Sequence, residues 1–433
     1  MVSIKFDKQY LFKLLNFSLD DKKLSDQLTK MGLDAEEITD TEISLDVSAN
    51  RPDLLDVVGF ARALKNFMHR SKKLKYEIKD DVPALEIKVG NEVGVVRPYI
   101  SAMVVKGLHL DDQALKHMIN FMEKFCITYG RNRKKLAIGI HNRDAIEPPI
   151  FYNAYGDESF VPLNSKKEMK FSQIIAEHAK GVEYGNTIKK GTAVQVYPAL
   201  KDSKDVLSLI PIINSEKTKV TTSTTNLLVD ITGTSKYFIE KSADMFAAMF
   251  LDLGSHVSKV KIKYKTESSV LPKMSSKTIE IPLQKMEGAI GVTIGYNNIL
   301  SLATKMGYEA ALIRKTVRFR VPEYRLDIIN DQDIIEDIAI AYGYDYIRPV
   351  PVYAEQLGEL DGISKLRDKV TSIMLGLGFS EMFNSYLTNE SVNFKDMRLE
   401  KRELEYIRIK NAKTQQISML RTSILPSLLR DLG

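Results

Sequence analysis

Three breaks in composition constrain this chain most, because they divide its 433 residues into four candidate domains. KDDVPA (79–84) follows a helix-like stretch from Leu54 to His69. TESSVLPKMSSKT (266–278) is rich in Ser, Thr and Pro and reads as a linker. RPVPVYAEQLGELDGIS (348–364) is punctuated by proline and then gives way to helical periodicity. The candidate domains are therefore 1–84, 85–265, 272–350 and 360–433, in keeping with roughly 100–200 residues per domain. The first mixes helix and strand. The second strings together short apolar runs (VVRPYISAMVV, KKLAIGI, VQVY, VLSLIPII, LLVDI) and at least two helices. The fold class expected is α+β and multidomain.

Composition removes several chemistries. A hydrophobic fraction of 44% with 27% charged residues belongs to a folded chain. The one cysteine, Cys126, excludes a disulfide framework or a multi-thiolate zinc site within the chain, and burial is its default. His69, His109, His117, His141, His178 and His256 lack zinc-ligand spacing and read as surface or satisfied core residues. There is no GxSxG elbow or P-loop, and GLGFSE (376–381) reads as a helix ending and turning. Any hydrolysis should use water rather than a covalent nucleophile. The charged N-terminus is unlike a signal peptide, and no apolar run approaches the roughly 18 residues of a membrane span. A cytoplasmic location is expected.

The net charge of +6 permits a polyanionic partner without requiring one. Basic residues gather at Arg70, Lys72, Lys73 and Lys75, in GRNRKK (Arg131, Arg133, Lys134, Lys135) and in SKVKIKYK. The last alternates Lys259, Lys261, Lys263 and Lys265 with Val260, Ile262 and Tyr264, as a strand with one apolar face does. An edge strand guarded by lysines is the expectation; a phosphate-tracking stripe is the alternative.

Two groups of polar residues stand out. In VPEYRLDIINDQDIIEDIAIAYGYD (321–345), Ile334, Ile335, Ile338, Ala339 and Tyr342 form a helical apolar stripe. Asp333, Glu336 and Asp337 fall at i, i+3 and i+4 on its exposed side, and Asp327 can fold back toward them. Four carboxylates suit a hard cation such as magnesium; alternatively, acidic residues in a first turn complement the helix dipole. In LLVDITGT, period two puts Leu228, Asp230 and Thr232 on one strand face and Leu227, Val229 and Ile231 on the other. Such a polar face commonly points to solvent.

SANRPDLLDVVGFARAL (48–64), AIGIHNRD (137–144), IPIINSEKTKVTTSTTNLLVDITGT (210–234), VPEYRLDIINDQDIIEDIAIAYGYDYI (321–347) and LRTSILPSLL (420–429) occur in that order. With them the chain resembles the phenylalanyl-tRNA synthetase β-subunit family in its archaeal/eukaryotic form. The resemblance implies an N-terminal α+β module, an editing domain over 85–265, a winged-helix-like module, and a catalytically inactive copy of the class II synthetase fold. That last domain is expected to be partial, since the family continues beyond the position of Gly433. Also implied are an α2β2 partnership with an α subunit that joins phenylalanine to tRNA(Phe) using ATP and magnesium, and hydrolysis of Tyr-tRNA(Phe) in the editing domain. Carried over residue by residue, Asp230, Thr232 and Ser208 would do the editing chemistry. Leu200, Asn214 and Arg133 would bind substrate, and Asp327, Asp333, Glu336 and Asp337 would hold Mg2+. A non-catalytic assembly and tRNA-docking subunit, or a freestanding magnesium-dependent hydrolase, are the other readings.

Overall fold

The computed structural model describes residues 2–48, 50–71, 75–78, 83–188, 196–351, 358–401 and 406–432. Residues 79–82 of the first expected break, 352–357 of the third, and Lys72 and Lys73 of the first basic cluster lie outside the described residues. The chain forms two compact units, Met1–Arg348 and Pro349–Gly433. Its architecture is mixed α+β.

The first unit begins with an antiparallel sheet in the order Val2–Asp7, Glu42–Val47, Asp34–Ile38. Its helices start where short acidic side chains can take free backbone N–H groups. Asp7 accepts from Tyr10 N at 2.7 Å and Asp20 from Lys23 N at 2.9 Å. Leu24 and Leu28, four apart on the helix Asp21–Lys30, are both fully buried.

A large sheet follows, in the order Ile213–Asn214, Val206–Leu209, Tyr197–Lys201, Ile150–Tyr155, Leu85–Val89, His256–Lys263, Tyr99–Lys106, Leu227–Gly233, Leu136–Asn142, with Ser268–Leu271 added on His256–Lys263. The helices Asp112–Ile127 and Lys236–Asp252 belong to a core shared with the N-terminal sheet. Leu227, Val229 and Ile231 enter that core, and Leu228 enters the second core with Tyr152 and Val104. The two-residue period of LLVDITGT therefore places its side chains as expected. Every residue of this strand is buried, because it lies between two neighbours with material on both faces. Its polar face does not point to solvent.

The lysine strand is not an edge. His256–Lys263 pairs with Leu85–Val89 on one side and with Tyr99–Lys106 and Ser268–Leu271 on the other. Its alternation marks one half-open face of an interior strand, where Lys261 meets Glu86 at 3.2 Å. Lysine alternation reports a face, not a sheet position.

The last part of this unit is an antiparallel sheet, Lys277–Pro282, Thr316–Val321, Glu309–Ile313, with the helices Leu283–Ile290, Tyr296–Lys305 and Asp331–Tyr342. Ile334, Ile335 and Ile338 are buried in its core, as the helical stripe requires. In the second unit, the helix Gly362–Gly376 ends in a turn through Gly378, whose φ of 90° needs glycine. Among the described residues no helix is long and apolar enough to cross a membrane.

Candidate functional site

The two end strands of the large sheet come together. The Asn214 amide donates to the Ile140 carbonyl at 2.9 Å, linking Ile213–Asn214 to Leu136–Asn142. Inside this closure is a cavity of about 580 Å³. Asp230 and Thr232 line it from Leu227–Gly233, Ser208 from Val206–Leu209 and Asn214 from its own strand. Arg133 lines it from the turn before Leu136–Asn142, and Met122, Ile138 and Ile212 supply apolar wall. Five of the six editing candidates thus surround one space.

Asp230 is 2% exposed, and its Oδ1 lies 3.0 Å from Nε2 of the fully buried His141. The other ring nitrogen is 2.7 Å from Thr218 Oγ1, which has only a 3.5 Å alternative at the Ser215 carbonyl. A carboxylate can only accept, so His141 donates Nε2–H to Asp230 and bridges it to Thr218. Gly139 makes room for this arrangement. It sits opposite Asp230 in the sheet, and a Cβ there would fall 2.3 Å from Asp230 Oδ1 and 3.2 Å from His141 Nε2. Ser208 Oγ is buried with no hydrogen-bond partner among the described residues. A buried hydroxyl in that state costs about 1–3 kcal/mol unless a ligand or water meets it.

Arg133 is a wall residue rather than a free cation. At a φ of 61°, it donates through Nη1 to the Pro211 and Ile212 carbonyls at 2.9 and 3.0 Å. Its Nη2 pairs with Glu123 at 2.7 Å, and its guanidinium carbon lies 4.3 Å from the Tyr184 ring centroid. Burial alone would raise the Glu123 carboxyl, but Arg133 and Lys180 hold it below the usual carboxylate range. Of its basic neighbours, Lys134 is exposed. Cys126 also lines the cavity; burial pushes its thiol up to about 11, so it is not a thiolate nucleophile near neutrality. Leu200 is fully buried in the second core with Tyr152 and Leu228 and does not line the cavity. In the sheet it stands between Ser208 and Tyr152.

His141 and Gly139 were not singled out by the sequence. The available signal was their two-residue spacing in AIGIHNRD, which puts both on the strand face that meets Asp230. Arg97 was also missed, and its only mark is an arginine before a proline at the start of an apolar run.

The four carboxylates proposed for magnesium do not converge. Arg325 Nη2 lies 2.6 Å from Asp327 and 2.7 Å from Asp337, and Tyr308 O–H donates to Asp337. Asp333 Oδ2 accepts from the Ile329 and Asn330 N–H groups at 2.7 and 2.8 Å, as an N-terminal cap. Glu336 is exposed, and Asp337 is buried rather than on the exposed side. No group of three metal-binding side chains forms among the described residues. The spacing does not give one exposed face, because Asp337 turns inward to Arg325, which lies between it and Asp327. The residues present do not fit a magnesium ion. Removing metal with EDTA is expected to leave the unfolding midpoint of the chain unchanged. A fall reversed by added magnesium would contradict this assignment.

Comparison with known proteins defines the class first. Residues 1–70 match the family model of the Phe-tRNA synthetase beta subunit B1 domain, 279–344 that of the tRNA synthetase B5 domain, and 348–433 that of the phenylalanyl tRNA synthetase beta chain CLM domain. The modules are those of an aminoacyl-tRNA synthetase. The phenylalanine–tRNA ligase beta subunit of Methanocaldococcus jannaschii is 34% identical over 440 residues, covering 100% of this chain and 79% of the relative. That of Pyrococcus horikoshii is 37% identical over 388 residues, covering 89% and 68% respectively. The crystal structure of an N-terminal fragment of the phenylalanyl-tRNA synthetase beta subunit from P. horikoshii superimposes with a TM-score of 0.75 at 34% identity, covering 79% of this chain and 100% of the fragment. The chain belongs to the phenylalanine–tRNA ligase β-subunit family.

Proposed function

We propose that this chain is the β partner of an α subunit in a cytoplasmic α2β2 enzyme that charges tRNA(Phe), and that its own cavity hydrolyses Tyr-tRNA(Phe). ATP, phenylalanine and magnesium belong to the α site in this reading, and none of them is routed through the carboxylates around Arg325. Residues 85–265 act as the editing domain, 272–350 as a winged-helix-like module and 360–433 as part of an inactive synthetase-like domain. The observation that carries the editing reading is the convergence of Asp230, Thr232, Ser208 and Asn214 on one largely apolar cavity.

Tyrosine differs from phenylalanine by one hydroxyl, and a mainly apolar synthetic site cannot strongly reject that addition. A second site can recognise the hydroxyl by hydrogen bonding. Asp230, held by His141, accepts from the tyrosyl hydroxyl or the substrate ammonium. Thr232 and Ser208 hold water or the ester carbonyl, and Ser208 thereby gains the partner it lacks. Apolar wall lines the space for the aromatic ring. Asn214 and Arg133 keep the cavity closed.

Adding a methyl group at residue 139 tests the geometry. Gly139→Ala has to displace the Asp230 carboxylate from His141. Losing a hydrogen bond to a charged group should slow Tyr-tRNA(Phe) deacylation by about tenfold, with phenylalanine charging intact. Unaltered deacylation would mean that the Asp230–His141 contact is not used.

Co-expression with an α subunit tests the wider proposal. Phenylalanine charging should require both chains, and the complex should release tyrosine from Tyr-tRNA(Phe). Charging without tyrosine release would assign the chain to assembly and tRNA docking.

A further inference from the structure

Arg97 stands just before the strand Tyr99–Lys106 and is 3% exposed. Among the described residues no carboxylate forms an ion pair with it. Its Nε donates to Thr232 Oγ1 at 3.1 Å, Nη2 to the Thr232 carbonyl at 2.9 Å and Nη1 to the Arg133 carbonyl at 3.0 Å. The Arg97 carbonyl accepts from Tyr152 O–H at 2.7 Å, which fixes its backbone. Burial pulls the guanidinium below the usual arginine range, while Tyr152, Cys126 and Asp230 oppose that change.

A buried guanidinium without a carboxylate partner is costly, so filling space is a poor account of it. Its effect on Thr232 supplies a better one. A hydroxyl has one donor and two acceptor sites, and Arg97 occupies an acceptor site. The Thr232 O–H proton has no acceptor among the described residues, and Thr232 lines the cavity. Its donor is therefore left for whatever enters.

We propose that Arg97 is a positioning residue for ester hydrolysis, fixing the Thr232 hydroxyl as a donor into the cavity and setting a positive charge behind it. The proposal rests on the editing reading. Water adds its oxygen to the ester carbonyl carbon, and the bond from that carbon to the ribose oxygen breaks. The proton given up by the water ends on the ribose oxygen, leaving tRNA and tyrosine. Between these events the carbonyl oxygen carries negative charge, which a preoriented Thr232 O–H and the Arg97 charge stabilise more than the neutral ester.

The test is Tyr-tRNA(Phe) deacylation by the chain assembled with its α subunit. Arg97→Met should lower kcat roughly 10- to 100-fold with KM within about threefold. Arg97→Lys, which keeps charge but loses the fork, should fall between Met and wild type. Adding Thr232→Val to Arg97→Met should cost little more, because both remove one interaction. If Arg97 variants do not assemble, Thr232→Val should still be at least about tenfold slower than Thr232→Ser, which keeps the hydroxyl. Wild-type kcat in an assembled Arg97→Met enzyme, fully multiplicative effects, or equal rates for Val and Ser at residue 232 would overturn the proposal. Asp230→Ala separates the two failures: if it abolishes editing while Arg97→Met does not, only the role of Arg97 is wrong.

Discussion

Replacing Asp230 by alanine is expected to slow tyrosine release from Tyr-tRNA(Phe) at least about tenfold, and to leave phenylalanine charging unchanged. A hydrogen bond to an ionised group contributes about 1.5–3 kcal/mol, or roughly 10- to 150-fold in rate when it acts in the transition state. Asp230 lies in a buried site where bulk water cannot replace it, and it takes the Nε2–H of His141 as well. Asp230→Asn separates these contributions. It keeps the size and an acceptor for His141 but removes the charge, so it should edit faster than the alanine variant and slower than wild type. Asparagine at the wild-type rate would show that the charge is not used.

The second large effect concerns stability. Arg325 is 5% exposed and joins Asp327 and Asp337. Truncating it to methionine leaves two carboxylates facing each other without their cation. Breaking a buried ion pair in this way costs about 3–5 kcal/mol. Urea unfolding followed by tyrosine fluorescence, the chain having no tryptophan, should show that loss. If magnesium restored the variant while leaving the wild-type protein unaffected, the arginine would stand as the occupant of a cation position. A loss below about 1 kcal/mol would mean that the pairs are screened by water.

Much of the site was legible wherever local periodicity decides the outcome. Alternation in LLVDITGT separates Asp230 and Thr232 from Leu227, Val229 and Ile231, and burial on both sides leaves that division intact. Helical spacing likewise gives the buried face of Asp331–Tyr342. What the sequence left open depended on partners outside the local pattern. The lysine strand has the pattern of an edge, but strands from three other parts of the chain flank it. The acidic group has metal-like spacing, but Arg325 pairs with two of its carboxylates. Leu200 was carried over by resemblance alone, and packing covers it. His141 meets Asp230 from 89 residues away and Arg97 meets Thr232 from 135 residues away. No local pattern reports such contacts.

The central claim is that this cavity recognises a hydroxylated aromatic amino acid on tRNA and releases it. The most direct measurement is single-turnover hydrolysis of Tyr-tRNA(Phe) and Phe-tRNA(Phe), without ATP, by the chain assembled with its α subunit. A site that hydrogen-bonds the tyrosyl hydroxyl should release tyrosine about 100-fold faster than phenylalanine or more. Equal loss of both amino acids at the rate seen without protein would contradict the account.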